Sequence, residues 1–268
     1  MEDYHDDEFG SAPGVSEVED DHGRTIIHID IDCFYAQVEM INVPSLKEKP
    51  LGIQQKNIVV TCNYVARQRG VGKCQYIADA RKICPDLVLV NGEDLAQYRR
   101  VSMAVYNSLV RETQSEVERL GMDENWVDVT KMVETRMKEE EMIENETIGH
   151  CVGMSCPQPG CGCGKRLLMG SVIARELRDL IRREHGLTVS AGVSYNKLLA
   201  KLSGSLHKPD DQTVLGPGGI NSVLDPERRA TSSPGVGRRM GEMLESGGVT
   251  SVAQLREAST RLLVSAGI

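Results

Sequence analysis

The chain has 268 residues, of which 40% are hydrophobic and 26% are charged, and its formal net charge at pH 7 is −8. This apolar content is sufficient to form a core in two or three small packed units, which excludes an intrinsically disordered protein. No apolar run approaches the ~20 residues of a membrane-spanning helix, and no signal peptide opens the chain, so we expect a soluble intracellular protein without a membrane partner.

The negative charge is concentrated in residues 1–23, which hold nine acidic side chains and no Lys or Arg. We therefore predict that residues 1–24 form an acidic, disordered tail. Without these nine acids the chain holds 30 acidic against 31 basic residues. Because the remainder is close to neutral, any contact with nucleic acid must come from local basic patches.

Hydrophobic patterning predicts strands and helices that are mixed along the chain, which indicates an α+β fold. The predicted strands are 25–32, 58–62, 87–90, 126–129 and 188–193. Helical periodicity predicts helices at about 93–111 and 167–185, and Gly186 is a natural end for the second helix. The polar and then Gly/Cys-rich segment 131–165 is predicted to be an inserted loop.

Two acidic pairs are candidates for a metal site. In the first strand, Asp30 and Asp32 share one face, because successive side chains of a strand alternate. Carboxylates on so apolar a strand are costly to bury unpaired, and a divalent cation such as Mg²⁺ would offset that cost. Asp123 and Glu124 reach one site only through a turn or bulge, which Gly121 permits. An equally weighted alternative is that Asp30 and Asp32 cap the end of a strand and that Asp123 and Glu124 lie in a solvated turn.

Basic side chains near two predicted helix starts are candidates for binding phosphate. Tyr64 and Arg67 share a face at spacing i, i+3, while Lys197 and Lys201 share one at i, i+4. Like charges at that spacing repel, and a bound triphosphate would convert the repulsion into binding. A solvated basic face is the alternative for each pair.

A cysteine-rich stretch offers a second kind of metal ligand. His150, Cys151, Cys156, Cys161 and Cys163 are crowded together, and thiolate and imidazole suit zinc. The spacing is irregular and contains no Cys-x₂-Cys pair, so an inserted loop is the favoured interpretation.

Four segments, in this order, resemble the palm and fingers of the Y family of translesion DNA polymerases. They are Asp30-Ile31-Asp32-Cys33-Phe34-Tyr35-Ala36-Gln37-Val38-Glu39, Cys62-Asn63-Tyr64-Val65-Ala66-Arg67, Met122-Asp123-Glu124 and Asn196-Lys197-Leu198-Leu199-Ala200-Lys201. The resemblance covers roughly residues 25–268, and its first motif is highly specific. Segments 52–56 and 87–95 are most similar to the iota branch of the family.

The resemblance implies a fold and a domain order. A palm, which is a mixed sheet backed by helices, would be formed by 25–33 and 95–220, with small fingers at 34–94. A helix-hairpin-helix thumb would follow at 221–268. The little-finger domain of the family has no counterpart in this sequence.

The resemblance also implies the reaction, which is nucleotide addition to a primer 3′-hydroxyl on primer-template DNA. Asp30, Asp123 and Glu124 would be catalytic and hold two Mg²⁺ or Mn²⁺ ions, with the Ile31 carbonyl as a further ligand. One ion would lower the pKa of the 3′-hydroxyl, and the other would bind the triphosphate of the incoming deoxynucleotide and the departing pyrophosphate.

The resemblance also implies which residues would bind the nucleotide. The implied contacts to the nucleotide are the backbone amides of Cys33, Phe34 and Tyr35 and the side chains of Tyr64, Arg67 and Lys201. Tyr35 matches the aromatic that excludes a 2′-hydroxyl from the sugar site. Asp32 and Lys197 match positions that we interpret as structural.

Two more groups are implied by the resemblance. Gln55, Lys56 and Ile58 match finger positions that cover the nascent base pair in the iota branch, although that branch leads us to expect Leu at position 58. Gly235, Gly237 and Arg238, together with Arg239, resemble a hairpin that binds a DNA phosphate through backbone N–H groups. A Pro-Gly-x-Gly turn also occurs in ordinary helix connections.

The resemblance places the protein in the nucleus, acting in damage bypass, with a replication clamp as a possible partner, although no clamp-binding motif is found. Two other functions stay open. One is a catalytically silent DNA-binding fragment or scaffold, and the other is a different two-metal phosphoryl enzyme, such as a cyclase on a similar palm.

Overall fold

The computed structural model describes residues 21–139 and 148–265. Most of the predicted acidic tail, residues 1–20, lies outside the described residues. Within the described end of the predicted tail, His22 is buried and its ring packs against Tyr195 with the centroids 4.4 Å apart. Charge patterning cannot detect such a long-range contact.

The described residues form ten strands and eleven α-helices. The strands are β1 (Ile26–Ile31), β2 (Leu51–Gln55), β3 (Ile58–Cys62), β4 (Gln75–Tyr76), β5 (Val88–Asn91), β6 (Val117–Leu120), β7 (Glu124–Asp128), β8 (His150–Val152), β9 (Val189–Ser194) and β10 (Gln212–Leu215). The helices are α1 (Phe34–Asn42), α2 (Tyr64–Gln68), α3 (Ile77–Ile83), α4 (Ala96–Thr113), α5 (Thr130–Glu139), α6 (Cys163–His185), α7 (Lys197–Gly204), α8 (Ile220–Val223), α9 (Arg238–Ser246), α10 (Val252–Glu257) and α11 (Thr260–Ser265).

Strand β1 lies in the middle of a six-stranded mixed sheet of order β6-β7-β1-β9-β10-β8. Its two faces separate as the alternation predicts. Ile27, Ile29 and Ile31 are buried in a core with α4, α5 and α6. His28 and Asp30 lie on the opposite face, and the register places them across from Trp126 and Glu124 of β7.

Helix α7 covers the polar face of this sheet. Gly192 of β9 stands opposite His28 in the ladder. An added Cβ at Gly192 would lie 1.9 Å from the Ala200 carbonyl oxygen of α7. The absence of a side chain at this position therefore allows the helix backbone to lie directly on the sheet.

The segment 131–165, predicted as an inserted loop, contains regular structure, so that prediction is wrong. Its first part is α5, which buries Val133 in the main core, and β8 pairs in parallel with β10 at the sheet edge. Helix α6 begins at Cys163, four residues before the predicted start, and ends at Gly186 with a φ of 66° as predicted. The β8 strand is short and polar, and its pairing with β10 leaves no periodic signal in the sequence.

A second, four-stranded sheet of order β4-β3-β2-β5 is formed by the segment between α1 and α4. Helices α9, α10 and α11 form a separate small cluster around Ala230, Leu244 and Val249. The predicted α+β class, with a mixed sheet backed by helices, is confirmed. Among the described helices, none combines the length and apolar character that membrane crossing requires.

Candidate active site

Three acidic side chains converge at one end of the central sheet. Asp30 pairs with Glu124 across the β1–β7 ladder. Asp123 lies in the turn between β6 and β7, where Gly121 has a φ of +66°, and its carbonyl oxygen accepts a hydrogen bond of 2.9 Å from the Ile31 N–H. The turn thus brings two sequence neighbours to one site, as the position of Gly121 suggested.

The electrostatics of the three acids favour a bound cation. Burial raises the pKa of Asp123, and repulsion from Asp30 and Glu124 raises it further. The Lys208 ammonium pairs with Asp30, and Lys201 pairs with Glu124. The site therefore concentrates negative charge that attracts cations from several directions.

The pKa of Glu124 shifts in the opposite direction to that of Asp123, because Glu124 has its own ion-pair partners. Burial by itself would raise the pKa of Glu124, but interactions with His28 and Lys201 outweigh burial and lower it to about 2. The buried His28 ring nitrogen lies 3.7 Å from the carboxylate. Glu124 is therefore a carboxylate at any physiological pH.

The arrangement fits a divalent cation with a preference for oxygen ligands. Asp30 and Asp123 supply carboxylate oxygens to the cleft that Ile31 also lines, and Glu124 stands across the ladder from Asp30. Such oxygen donors suit a hard divalent cation rather than a thiophilic metal. A bound ion would also relieve the mutual repulsion that raises the pKa of Asp123.

Asp30 and Asp123 open onto a cleft of about 330 Å³ that residues of both sheets line. The cleft is lined by the acidic Asp30 and Asp123 and by a cationic wall, defined as the side chains of Arg67, Lys73 and Lys208. The remaining lining residues are Ile31, Cys33, Phe34, Tyr35, Val60, Thr61, Gly121 and Met122. A polyanion beside a divalent cation suits a cleft of this mixed charge.

The start of α1 contributes backbone donors to this cleft. Cys33 caps the helix in a left-handed conformation (φ 37°, ψ 49°), and no side chain accepts from the free amides of the first turn. The first four N–H groups of a helix have no partner within the helix, and they attract anions. Cys33, Phe34 and Tyr35 all line the cleft.

Tyr35 forms a rigid aromatic wall of the cleft. Its ring stacks on Tyr98 with the centroids 4.2 Å apart and lies 5.5 Å from Phe34. Tyr98 is itself fully buried and donates a 2.7 Å hydrogen bond to Glu39. This support holds the Tyr35 ring in place beside the acids.

Asp32 and Tyr64 lie on the far side of Cys33, in a neighbouring depression. The Asp32 carboxylate is buried and accepts hydrogen bonds from the Ser190 hydroxyl (2.7 Å) and the Asp210 N–H (2.8 Å). Asp32 is thus consistent with a structural role. Tyr64 does not line the main cleft within the described structure, but the Arg67 guanidinium, which does line it, lies 4.6 Å from the centroid of the Tyr64 ring.

The remaining predicted residues lie farther from the acids. Gln55, Lys56 and Ile58 form the β2–β3 hairpin of the second sheet, and none of them is among the residues that line the cleft in the described structure. Lys197 pairs with the exposed Glu118 at 2.8 Å, as expected for a structural position. The turn at Gly235 and Gly237 precedes α9 in the C-terminal helical cluster.

Sequence reasoning missed three residues that contact the acids or line the cleft. Lys208 pairs with Asp30, His28 faces Glu124, and Lys73 lies on the cationic wall. His28 shares a strand face with Asp30, a signal that alternation provides. Lys208 and Lys73 follow no periodic pattern, and their roles depend on chain segments meeting in space.

Comparison with known proteins gives a consistent picture. A model of the impB/mucB/samB family matches residues 29–205. The chain is 47% identical over 258 residues to DNA polymerase iota of Drosophila melanogaster, covering 93% of this chain and 34% of that protein. It is 46% identical over 243 residues to human DNA polymerase iota, covering 90% of this chain and 33% of that protein.

More distant relatives match over a similar span. DNA polymerase IV of Aeromonas hydrophila is 38% identical over 246 residues, covering 90% of this chain and 61% of that protein. The solved structure of a Dbh ternary complex with partially disordered substrates superposes with a TM-score of 0.66 and 26% identity, covering 90% of this chain and 62% of that one. The chain therefore spans about a third of the length of these iota relatives.

Proposed function

Because this chain belongs to the impB/mucB/samB family of Y-family DNA polymerases, we propose that it is the catalytic part of a template-directed polymerase acting in translesion synthesis. The resemblance drawn from its motifs, including its similarity to the iota branch, is confirmed. One observation carries the proposal: Asp30 and Asp123 line a cleft with a cationic wall beside a helix N-terminus, and Glu124 lies next to both acids across the β1–β7 ladder.

Polymerases of this family depend on metal ions, and we assign the ligands here to Asp30, Asp123, Glu124 and the Ile31 carbonyl. When bound, two Mg²⁺ or Mn²⁺ ions would supply activation of the primer 3′-hydroxyl and charge neutralisation at the phosphates. The protein itself contributes the position of the carboxylates, which the β1–β7 register and the Gly121 turn determine.

The triphosphate would bind between the α1 amides and the cationic wall. The N–H groups of Cys33, Phe34 and Tyr35 donate to phosphate oxygens, and the Arg67 guanidinium provides a planar fork for the same group. Lys201 neutralises Glu124 when no nucleotide is bound and would also be available to phosphate. Tyr64 acts indirectly, because its ring supports the Arg67 side chain.

We assign the domains of the chain from its membership of the same polymerase family. The main sheet is the palm, the β2–β3–β4–β5 sheet the fingers, and the helical cluster from residue 221 the thumb. Gln55, Lys56 and Ile58 would contact the nascent base pair only after the fingers and DNA come together. The animal relatives favour the nucleus, where the chromosomal template lies, and a replication clamp remains a proposed partner.

Single-nucleotide incorporation opposite each template base tests the proposal. We expect metal-dependent extension of a primer by this chain, and no extension in the presence of EDTA. If wild type incorporates nothing, even with Mn²⁺ and excess primer-template, a silent DNA-binding role replaces the enzymatic one. Incorporation that needs no template would contradict the template-directed mechanism.

The Tyr35 ring supports a specific prediction on sugar selection. In the Tyr35→Ala variant, ribonucleotide insertion should rise about tenfold or more, while deoxynucleotide insertion changes little, because a 2′-hydroxyl then meets open space. The Tyr76→Ala variant is a matched control, since Tyr76 is exposed on the edge strand of the other sheet. Unchanged discrimination between the two sugars would show that Tyr35 is not the gate.

The thumb turn supports a prediction on DNA affinity. The Arg238 side chain is 93% exposed and forms an i, i+4 ion pair with Glu242. The Arg238→Ala variant should bind primer-template more weakly for every sequence, and its salt slope, measured by fluorescence anisotropy, should fall by about 1. The exposed Arg261 on α11 provides the control substitution. An unchanged slope would remove Arg238 from the phosphate contacts.

A further inference from the structure

A second cluster of metal-ligating side chains lies away from the acids, at the start of α6. It consists of His22, Cys156, Cys161 and Cys163, whose ligand atoms all lie within 4.8 Å of one another. His22 Nδ1 is 3.4 Å from the Cys156 sulfur and 3.7 Å from the Cys161 sulfur. His22 and Cys163 are buried, while Cys156 and Cys161 are partly exposed.

These separations match the edges of a tetrahedral zinc site. With Zn–S near 2.3 Å and Zn–N near 2.0–2.1 Å, the tetrahedral angle gives ligand–ligand distances of roughly 3.5 to 3.8 Å. The two distances from His22 Nδ1 to the sulfurs, 3.4 and 3.7 Å, lie within about 0.1 Å of this range. Three sulfurs and one imidazole nitrogen are also a ligand set that closed structural zinc sites use.

We propose that His22, Cys156, Cys161 and Cys163 bind one zinc ion in a closed, structural site. The site differs from the cluster that the sequence suggested. His150 instead stacks on His207 with the ring centroids 3.5 Å apart and lies 3.0 Å from Asp211, and Cys151 is exposed on β8. The missing ligand comes from His22, far away in sequence.

The local backbone is built to hold the sulfurs together. Gly160 and Gly162 adopt positive φ angles of 74° and 69°, which bend the chain tightly on both sides of Cys161. Cys163 is the first residue of the 23-residue helix α6, and its backbone N–H donates to the Cys161 sulfur. A helix N-terminus and amide donors both stabilise thiolates, which are the form that binds zinc.

The surroundings of His22 also suit its role as a zinc ligand. Its Nδ1 faces the sulfurs, while the ring packs on Tyr195. Arg166 donates a 2.9 Å hydrogen bond to the His22 carbonyl and approaches the Cys161 sulfur at 3.9 Å. An arginine at this position orients the histidine backbone and offsets the excess negative charge of three thiolates.

A disulfide is the competing use of these cysteines. All eight cysteines are free thiols in the structure. A disulfide would use two of the three clustered sulfurs and leave one unpaired thiol beside His22, whereas zinc uses all four groups. Bound zinc would tie the segment before β1 to the start of α6, and would thereby fix two elements of the core.

Metal content tests the proposal directly. We expect the purified full chain to carry about one zinc ion by inductively coupled plasma mass spectrometry, and the Cys161→Ser variant to lose most of it. Two matched controls should keep the zinc: Cys151→Ser, which replaces a neighbouring exposed cysteine, and Asp123→Asn, which disables the acidic cleft instead. Zinc that disappears in Asp123→Asn and stays in Cys161→Ser would place the metal in the acidic cleft and overturn the proposal.

Metal-depleted wild type provides a measurement that does not depend on a variant folding. Titration with Co²⁺ should give the visible absorption of a tetrahedral, thiolate-rich site that saturates at about one equivalent, and zinc should displace it. Added zinc should also raise the thermal unfolding midpoint. Wild type without zinc, without a Co²⁺ spectrum and with two of its eight thiols blocked until reductant is added would establish the disulfide instead.

Discussion

The Asp123→Asn variant should lose nucleotide incorporation by roughly 10³-fold or more, because removing one carboxylate costs several kcal/mol of metal-dependent stabilisation in the transition state. Asp123 is partly buried and repelled by Asp30 and Glu124. Replacing its charge should therefore leave the fold intact, or stabilise it slightly, while the metal ligand is lost. Steady-state incorporation kinetics and thermal unfolding measure the two effects separately.

The Asp123→Asn prediction has a matched control and a result that would contradict it. Glu134→Gln neutralises an exposed carboxylate on α5, and it should incorporate nucleotides like wild type. Primer-template affinity should persist in Asp123→Asn, because the proposed contacts to the DNA phosphates lie in the thumb. An active Asp123→Asn protein, or one that no longer binds DNA, would contradict the assignment of Asp123 as a metal ligand.

Much of the fold follows from the sequence because its strongest signals are local. Alternation in β1, the helical stripe of α4 and the Gly186 end of α6 depend on neighbouring residues, and all three agree with the structure. The pairing of β8 with β10 and the burial of His22 depend on contacts between distant segments. Periodicity carries no information on such contacts, and these were the features that the sequence interpretation missed.

The residues of the candidate site likewise divide into those that lie in a local sequence motif and those that do not. Asp30 and the pair Asp123–Glu124 are recognisable because each lies in a short motif with strong local character. Lys208, which pairs with Asp30, lies in a polar segment after α7 and belongs to no motif. The sequence could therefore predict which acids lie near one another, but not which lysines pair with them.

The packing of α7 on the sheet leads to the largest expected effect on stability. A Cβ on Gly192 would lie 1.9 Å from the Ala200 carbonyl oxygen and 2.3 Å from the Gly204 nitrogen, both backbone atoms. Backbone atoms cannot rotate away as the end of a side chain can. The Gly192→Ala variant should therefore be destabilised by about 3 kcal/mol, near the upper end for overpacking.

For a protein of this size that loss should lower the unfolding midpoint by roughly 6 to 12 °C, measured by circular dichroism. Gly72→Ala is the matched control, because its added Cβ would lie an ordinary 3.9 Å from the Gln75 side-chain oxygen. Relief of the clash requires α7 to move away from β9, and α7 carries Lys201. The variant should consequently also lose incorporation at temperatures where it stays folded, since Lys201 would then withdraw from Glu124. A Gly192→Ala protein as stable and as active as Gly72→Ala would show that α7 does not rest on the sheet at this point.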